Sequence, residues 1–143
     1  MLNINLAQTL QSPYQKLDFE LVNHADIATL EIQISGLVQV DSFIEIVKLI
    51  NTELKLLNYN KLIYHNVGTD PSSITTEDLK RIVLATTDLN DTIKNGWFAA
   101  VADNKLSFGM FRMWHAFSSQ DMQYEFEIFN NYESACRWIT RNS

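Results

Sequence analysis

Two adjacent serines lie in the segment that connects a predicted strand to a predicted helix. Ser72 and Ser73 precede that helix by two or three residues. A phosphate on either hydroxyl would therefore lie near the free N–H groups and the positive end of the helix dipole. The pair is a candidate regulatory loop, open to phosphorylation or to a partner. An ordinary turn role after Pro71 is the favoured interpretation, because serines are common in turns.

The histidines show no spacing typical of a metal site. His24, His65 and His115 fall in a predicted turn, strand and helix, without an i, i+4 pair or a cysteine cluster. Zinc sites are usually recognisable by such paired ligands. We therefore expect no bound metal.

No motif in the chain indicates catalysis. Glu31, Glu125 and Glu127 occupy alternate strand positions and are expected to face solvent, so they do not suggest a general acid/base pair. The sequence contains no nucleophile elbow, phosphate-binding loop or dinucleotide fingerprint. Cys136 lies among apolar helix positions and is expected to be a buried, inert thiol, with a reactive thiol as the alternative. We expect a protein that is not an enzyme and has no cofactor.

One predicted helix, from Asp103 or Asn104 to about Ser119, is apolar on more than one side. The face expected to meet the sheet consists of Leu106, Met110, Met113 and Phe117. The opposite side carries the candidate interface, Phe108, Phe111, Arg112 and His115. Apolar groups on an outer face indicate a covering segment, a protein or homodimer interface, or a small-molecule pocket. An N-terminal covering arm is favoured among the three, and Arg112 is expected to pair with a neighbouring acid rather than bind an anionic ligand.

Composition restricts the partners. The 143 residues carry a net charge of -6 and a pI near 4.9, which argues against binding nucleic acid or anionic membranes. No apolar run approaches the ~20 residues that span a bilayer, and no signal peptide is recognisable at the N-terminus. One cysteine excludes an internal disulfide, so we expect a cytoplasmic protein.

Alternation, periodicity and capping signals predict the order β-β-α-β-α-β-α-β-α. Residues 1–16 give no firm element and are assigned to a loosely attached arm, whereas residues 17–143 form one domain. The predicted helices begin at Ser42, Thr75, Asp103 or Asn104, and Asn130. The expected fold is α/β, with a mixed, mostly parallel sheet of about five strands, an N-terminal hairpin and about four helices.

Three segments carry a resemblance to a known family. They are the helix segment 103–114 with Phe108-Gly109-Met110-Phe111-Arg112-Met113, the strand end Ile128-Phe129, and the closing helix from Glu133 through Ala135 to Trp138. Together they resemble the STAS-like family, small domains related to anti-anti-sigma factors. In those relatives a serine between the third strand and the second helix is phosphorylated. The matching loop here keeps two serines but has no glycine after them.

The resemblance implies a STAS-like fold and a binding role rather than a particular activity. We expect a regulatory or protein-interaction module that uses the loop Val67 to Ile74 and the outer face of the third helix, with a protein partner or a second copy of itself. The alternative is a carrier of a small molecule or lipid, apolar or anionic. The side chains expected to line such a site are Trp97, Phe108, Phe111 and Trp114.

Overall fold

The alternating segments of the sequence form one mixed sheet. The computed structural model describes residues 5–12 and 15–142 of the chain. Its strands are β1 (Asn5–Ser12), β2 (Gln15–His24), β3 (Thr29–Leu37), β4 (Lys61–Asp70), β5 (Trp97–Val101) and β6 (Glu125–Phe129). They lie in chain order; β1, β2 and β3 pair antiparallel, and β3 to β6 pair in parallel. The predicted α/β class with an N-terminal hairpin is confirmed.

The sheet has one strand more than the five expected, and it comes from the predicted arm. Residues 5–12 form β1, and residues 15 and 16 begin β2. The rest of the arm, residues 1–4 and 13–14, lies outside the described residues. β1 is the first strand in the sheet order and pairs with β2. Its polar composition is not typical of a strand, which conceals it in the sequence.

Five α-helices follow in the described part of the chain: α1 (Val40–Leu57), α2 (Thr76–Ala85), α3 (Leu89–Thr92), α4 (Lys105–Ser118) and α5 (Tyr132–Arg141). The helix predicted to begin at Thr75 is divided into α2 and α3, because turns with i, i+3 hydrogen bonds replace the α-helical bonds after Thr86. The hydroxyls of Thr86 and Thr87 both donate to the Val83 carbonyl. Such bonds compete with the helical ladder and favour a break.

Local capping signals predict some helix starts and fail at others. Thr75 caps α2, as predicted, and it does so in a reciprocal capping box with Asp78. The predicted capping box at Ser42 is wrong: α1 begins earlier, and Ser42 is buried within its first turn. Asn131, not Asn130, caps α5 by accepting a hydrogen bond from the Ser134 N–H at 2.8 Å.

Apolar side chains form two cores, one on each face of the sheet. The larger core lies between the sheet and α1 to α4. The smaller core lies beneath α5 and contains Ile63, Ala99, Val101, Ala135 and Ile139. The first four residues of β3 and of β4 are buried on both faces of the sheet, so polar side chains in these segments are buried as well.

Of the predicted inner face of α4, Met110 does pack against the larger core, and the other three positions are wrong. Leu106, Met113 and Phe117 are 49%, 41% and 48% exposed. The helix instead turns Ser107, Phe111 and Trp114 toward the sheet.

The reason is a rotation of α4 by one residue. Neighbouring residues of an α-helix are separated by about 100°, and two adjacent rows of α4 are apolar. The Trp114 indole N–H donates to the Thr86 hydroxyl at 3.0 Å, and a buried indole needs such a partner. Periodicity alone does not distinguish the two rows, whereas this hydrogen bond selects the one containing Trp114.

Candidate functional site

A mostly apolar cavity of about 90 Å³ lies between the sheet and helices α1, α2 and α4. Its apolar wall comes from all three helices, from β4 and β5, and from the loop after β4, which contributes Pro71 and Ile74. Native cores rarely contain voids larger than one water molecule. A space of this size is therefore the first candidate for a binding site in the described part of the chain.

The polar part of the wall comes mainly from β4. Alternation along this strand turns Leu62, Tyr64 and Asn66 toward the helices. An extra residue in β4 then shifts the register, since Asn66 pairs with Ile34 but Thr69 pairs with Gly36. The chain passes through the left-handed conformation at Gly68 (φ 73°), which glycine adopts without strain. The bulge brings Thr69 into the cavity wall beside Ser107 of α4.

Asp103 ties the end of β4 to the start of α4. Its carboxylate accepts hydrogen bonds from the Thr69 N–H at 2.7 Å, the Thr69 hydroxyl at 3.0 Å and the Ser107 hydroxyl at 3.1 Å. Burial would raise the pKa of Asp103, but these hydrogen bonds outweigh it and lower the pKa. Asn104 caps α4 by accepting from the Ser107 N–H at 2.8 Å, as predicted. Thr69 and Ser107 therefore have protein partners.

Tyr64 and Asn66 differ from the other polar groups in the wall. Tyr64 is 4% and Asn66 7% exposed. Neither the Tyr64 hydroxyl nor the Asn66 amide forms a hydrogen bond with any other described residue. Burial raises the pKa of Tyr64 far above its ordinary range, and the Asp103 carboxylate adds to the rise, so the hydroxyl keeps its proton. Among the described side chains, Ser118 Oγ is the enclosed polar atom without a partner. The polar atoms of Tyr64 and Asn66 therefore keep some access to a small molecule at the cavity wall, and they lack a partner within the described residues.

The predicted regulatory serines lie at the rim of this cavity. Both are exposed. The Ser72 N–H donates to the Asp70 carboxylate at 2.9 Å, and the Ser73 hydroxyl donates to the Val38 carbonyl at 3.0 Å. The residues that flank them, Pro71 and Ile74, line the cavity. Phosphorylation of this loop stays a prediction.

The structure separates the four residues of the predicted interface. Phe111 belongs to the core, with its ring 5.6 Å from that of Tyr64, so its assignment to an outer face is wrong. Phe108 is half-buried in a separate surface groove. The ring centroid of His115 lies 5.1 Å from that of Phe126. Arg112 is exposed and forms no ion pair with a described residue, so the expected pairing with a neighbouring acid is not found.

The aromatic residues predicted to line a ligand site fall into two groups. Phe111 and Trp114 do line the cavity. Phe108 lies in the surface groove beside Asn130. Trp97 is on the opposite face of the sheet, with its ring 5.6 Å from the Lys61 ammonium. The assignments of Phe108 and Trp97 are therefore wrong. The rotation of α4 directs Phe108 away from the cavity, and strand alternation does the same for Trp97.

A buried carboxylate on the α5 face is the polar feature that sequence analysis missed. The expectation that Glu31 faces solvent is wrong, because its exposure is 0%. Glu31 contacts His24 at 2.7 Å and His65 at 3.3 Å, and the Tyr132 hydroxyl donates to it. Burial by itself would raise the pKa of Glu31. The hydrogen bonds from the two histidines, Tyr132 and Gln33 outweigh burial and hold that pKa well below its ordinary value.

The arrangement around Glu31 joins α5 to the sheet. The ring of Tyr132 stacks at 4.4 Å, centroid to centroid, on that of His65.

Burial raises the pKa of Cys136 more than its hydrogen bond with Tyr132 lowers it, and the Glu31 carboxylate raises it further. Cys136 is therefore a poor nucleophile at neutral pH. Among residues 5–12 and 15–142, no group of three or more His, Cys, Asp or Glu side chains is arranged to hold a metal ion.

Comparison with known proteins gives no match among family models, curated proteins or solved structures. The resemblance to STAS-like domains stays a prediction from the sequence. Within the described residues, no helix has the length and apolar character needed to cross a membrane.

Proposed function

We propose that this domain binds a small, largely apolar molecule in the cavity between the sheet and helices α1, α2 and α4, without catalysing a reaction. One observation carries the proposal: the cavity wall contains two polar side chains, Tyr64 and Asn66, that are 4% and 7% exposed and have no hydrogen-bond partner among the described residues. A hydrogen bond between neutral groups contributes about 0.5–1.5 kcal/mol net. A guest that bonds to these two side chains gains this free energy.

The volume supports a small guest. The cavity measures about 90 Å³, and an apolar cavity of about 150 Å³ in a protein core is known to accept benzene and xenon. Most of the wall here is aliphatic or aromatic. Contact with apolar surface therefore supplies the affinity, and the few polar groups determine the orientation.

Xenon tests whether the cavity accepts a guest at all, because it fills apolar voids without hydrogen bonds. We expect xenon under pressure to shift the backbone NMR signals of residues around the cavity, such as Leu62 and Met110. Val47→Leu, which adds one methylene inside the cavity wall, should weaken these shifts. Val22→Leu adds the same group to a half-buried position on β2 outside the cavity and serves as the matched control. Unchanged spectra of the wild type under xenon would contradict the proposal.

A second candidate function is contact with a protein partner through the outer face of α4. Leu106, Met113 and Phe117 lie at spacings of seven and four residues, which place them on one side of the helix. All three are more than two-fifths exposed. A row of exposed apolar side chains on one helix face is typical of an interaction surface, and it supports a regulatory module like the one expected from the sequence.

Light scattering at increasing protein concentration tests the simplest form of this second function, self-association. We expect the apparent mass of the wild type to rise toward that of a dimer and that of Phe117→Glu to stay monomeric. Leu56→Glu changes an exposed leucine on α1 and should behave like the wild type. A wild type that stays monomeric throughout would exclude pairing of two copies through α4.

A further inference from the structure

The two cavity-wall side chains without a partner among the described residues lie on one face of the same strand. Tyr64 and Asn66 are two residues apart on β4 and point to the same face of the sheet. Their backbones are therefore about 7 Å apart. The tyrosine hydroxyl donates one hydrogen bond and accepts others, and the asparagine amide both donates and accepts. Together they match a group that also has a donor and an acceptor, or a carbonyl that accepts from both.

The charge around the cavity disfavours an anion. None of the described residues lining the cavity is Lys, Arg or His. The Asp103 carboxylate acts on Tyr64 and adds to the rise of its pKa. A carboxylate or phosphate would lose its hydration without meeting a cation and would face a like charge. Both effects oppose binding strongly.

A cation is disfavoured for a different reason. Asp103 does not line the cavity, and its oxygens already accept hydrogen bonds from Thr69, Ser107 and the Asn104 amide. An ammonium group in the cavity would therefore reach no free carboxylate. Without a direct ion pair, the cost of removing a cation from water is not repaid.

We infer that the cavity ligand carries one neutral hydrogen-bonding group, a hydroxyl or a carboxamide held between Tyr64 and Asn66, on a short apolar body. This inference rests on the proposed binding function and names the class of its ligand. A volume of about 90 Å³ is smaller than the benzene-binding cavity of about 150 Å³. A guest of four carbon atoms with one polar group matches that space.

A titration with small molecules of nearly equal size tests the inference. The probes are 1-butanol, butyramide, pentane, butyrate and butylammonium, each followed by NMR shifts of the residues around the cavity. We expect 1-butanol and butyramide to bind at least tenfold more tightly than pentane, and the two ions to leave the spectra unchanged. Equal affinity for pentane and 1-butanol, or tighter binding of either ion, would overturn the ligand class.

Variants assign the preference to the named groups. Tyr64→Phe removes only the hydroxyl and keeps the ring that packs against Phe43 and Phe111. It should reduce the affinity for 1-butanol about tenfold and leave that for pentane unchanged. Tyr124→Phe removes a partly buried hydroxyl outside the cavity and should change neither. If Tyr64→Phe behaves like Tyr124→Phe, the hydroxyl does not hold the ligand.

The failures of the two proposals are distinguishable. If xenon and pentane bind but 1-butanol shows no preference, the cavity accepts guests and only the inferred ligand class is wrong. If xenon and all five probes leave the spectra unchanged, the binding function itself is overturned, and the ligand class with it.

Discussion

Glu31 shows how one buried charge makes stability depend on pH. Its pKa in the folded protein is below the ordinary value of 4.5, so the unfolded chain takes up the proton first as the pH falls. The stabilisation is therefore complete above about pH 4.5 and is lost as the pH decreases toward the folded pKa. A charged carboxylate with several hydrogen-bond donors contributes more than a neutral group in its place.

We predict that Glu31→Gln lowers the free energy of unfolding at pH 7 by about 2 kcal/mol. The variant should lose less stability than the wild type between pH 5 and pH 3, because the titrating group is gone. Urea unfolding at several pH values measures both effects. Glu125→Gln, at an exposed position on β6, is the control and should follow the wild type. A variant that shows the same pH dependence as the wild type would exclude Glu31 as the source.

Phe111 and Phe117 test the orientation of α4 one residue at a time. Phe111→Glu places a charge in the large core and should destabilise the protein by more than about 3 kcal/mol or prevent folding. Phe117→Glu changes a side chain that is 48% exposed and should cost less than about 1 kcal/mol. Denaturant unfolding of the two variants measures the difference. The opposite ranking would place Phe117, rather than Phe111, on the face of α4 that meets the sheet.

The sequence does not predict the burial of Glu31 or the lack of partners at Tyr64 and Asn66. Alternation along β3 places the Glu31 side chain on the other face of the sheet from Leu30 and Ile32. If only one face of the strand were covered, Glu31 would be exposed to solvent. Here α5 covers the second face, so Glu31 is buried. Whether Tyr64 and Asn66 find hydrogen-bond partners depends on the bulge near Gly68 and on the rotation of α4. Tertiary packing determines both.

At the level of elements, local signals succeed where one short segment decides the structure. The Thr75 cap and the Asn104 cap need only neighbours in sequence; Thr75 is predicted, and Asn104 is one of the two residues predicted for its helix. The predicted start of α1 at Ser42 is wrong, because Ser42 is buried within the first turn and does not cap the helix. The inner face of α4 fails because two adjacent apolar rows fit the same periodicity, and only the contact with α2 distinguishes them.

That contact predicts an energetic coupling between α2 and α4. Trp114→Phe removes the hydrogen bond to Thr86 and should lower the free energy of unfolding by about 1–2 kcal/mol. The double variant with Thr86→Val should cost less than the sum of the two single variants, by about 1 kcal/mol. A double-mutant cycle in urea measures the coupling. Strict additivity would mean that the hydrogen bond does not fix the rotation of α4.

At the scale of the whole molecule, the order of elements along the chain is enough to predict the class of fold. A hairpin followed by alternating helices and strands gives a mixed sheet whose later strands are parallel. The cavity does not follow from that order. It depends on how closely α1, α2 and α4 approach the sheet, and therefore on the volumes of the packed side chains. The pattern of apolar residues along the sequence does not give those volumes.

The two faces of the sheet should respond independently to mutation. The Tyr132 hydroxyl anchors α5 on one face through Glu31, whereas the cavity lies on the other face. We predict that Tyr132→Phe increases amide hydrogen exchange in α5 at least about tenfold, since loss of a hydrogen bond to a charged group costs about 1.5–3 kcal/mol. The dissociation constant for 1-butanol should change less than about twofold, because distant sites behave additively. Hydrogen exchange and NMR titration of one sample measure both quantities. A large change in the affinity for 1-butanol would mean that the sheet transmits the position of α5 to the cavity. Glu31 and its hydrogen-bond partners would then contribute to ligand binding and not only to the anchoring of α5.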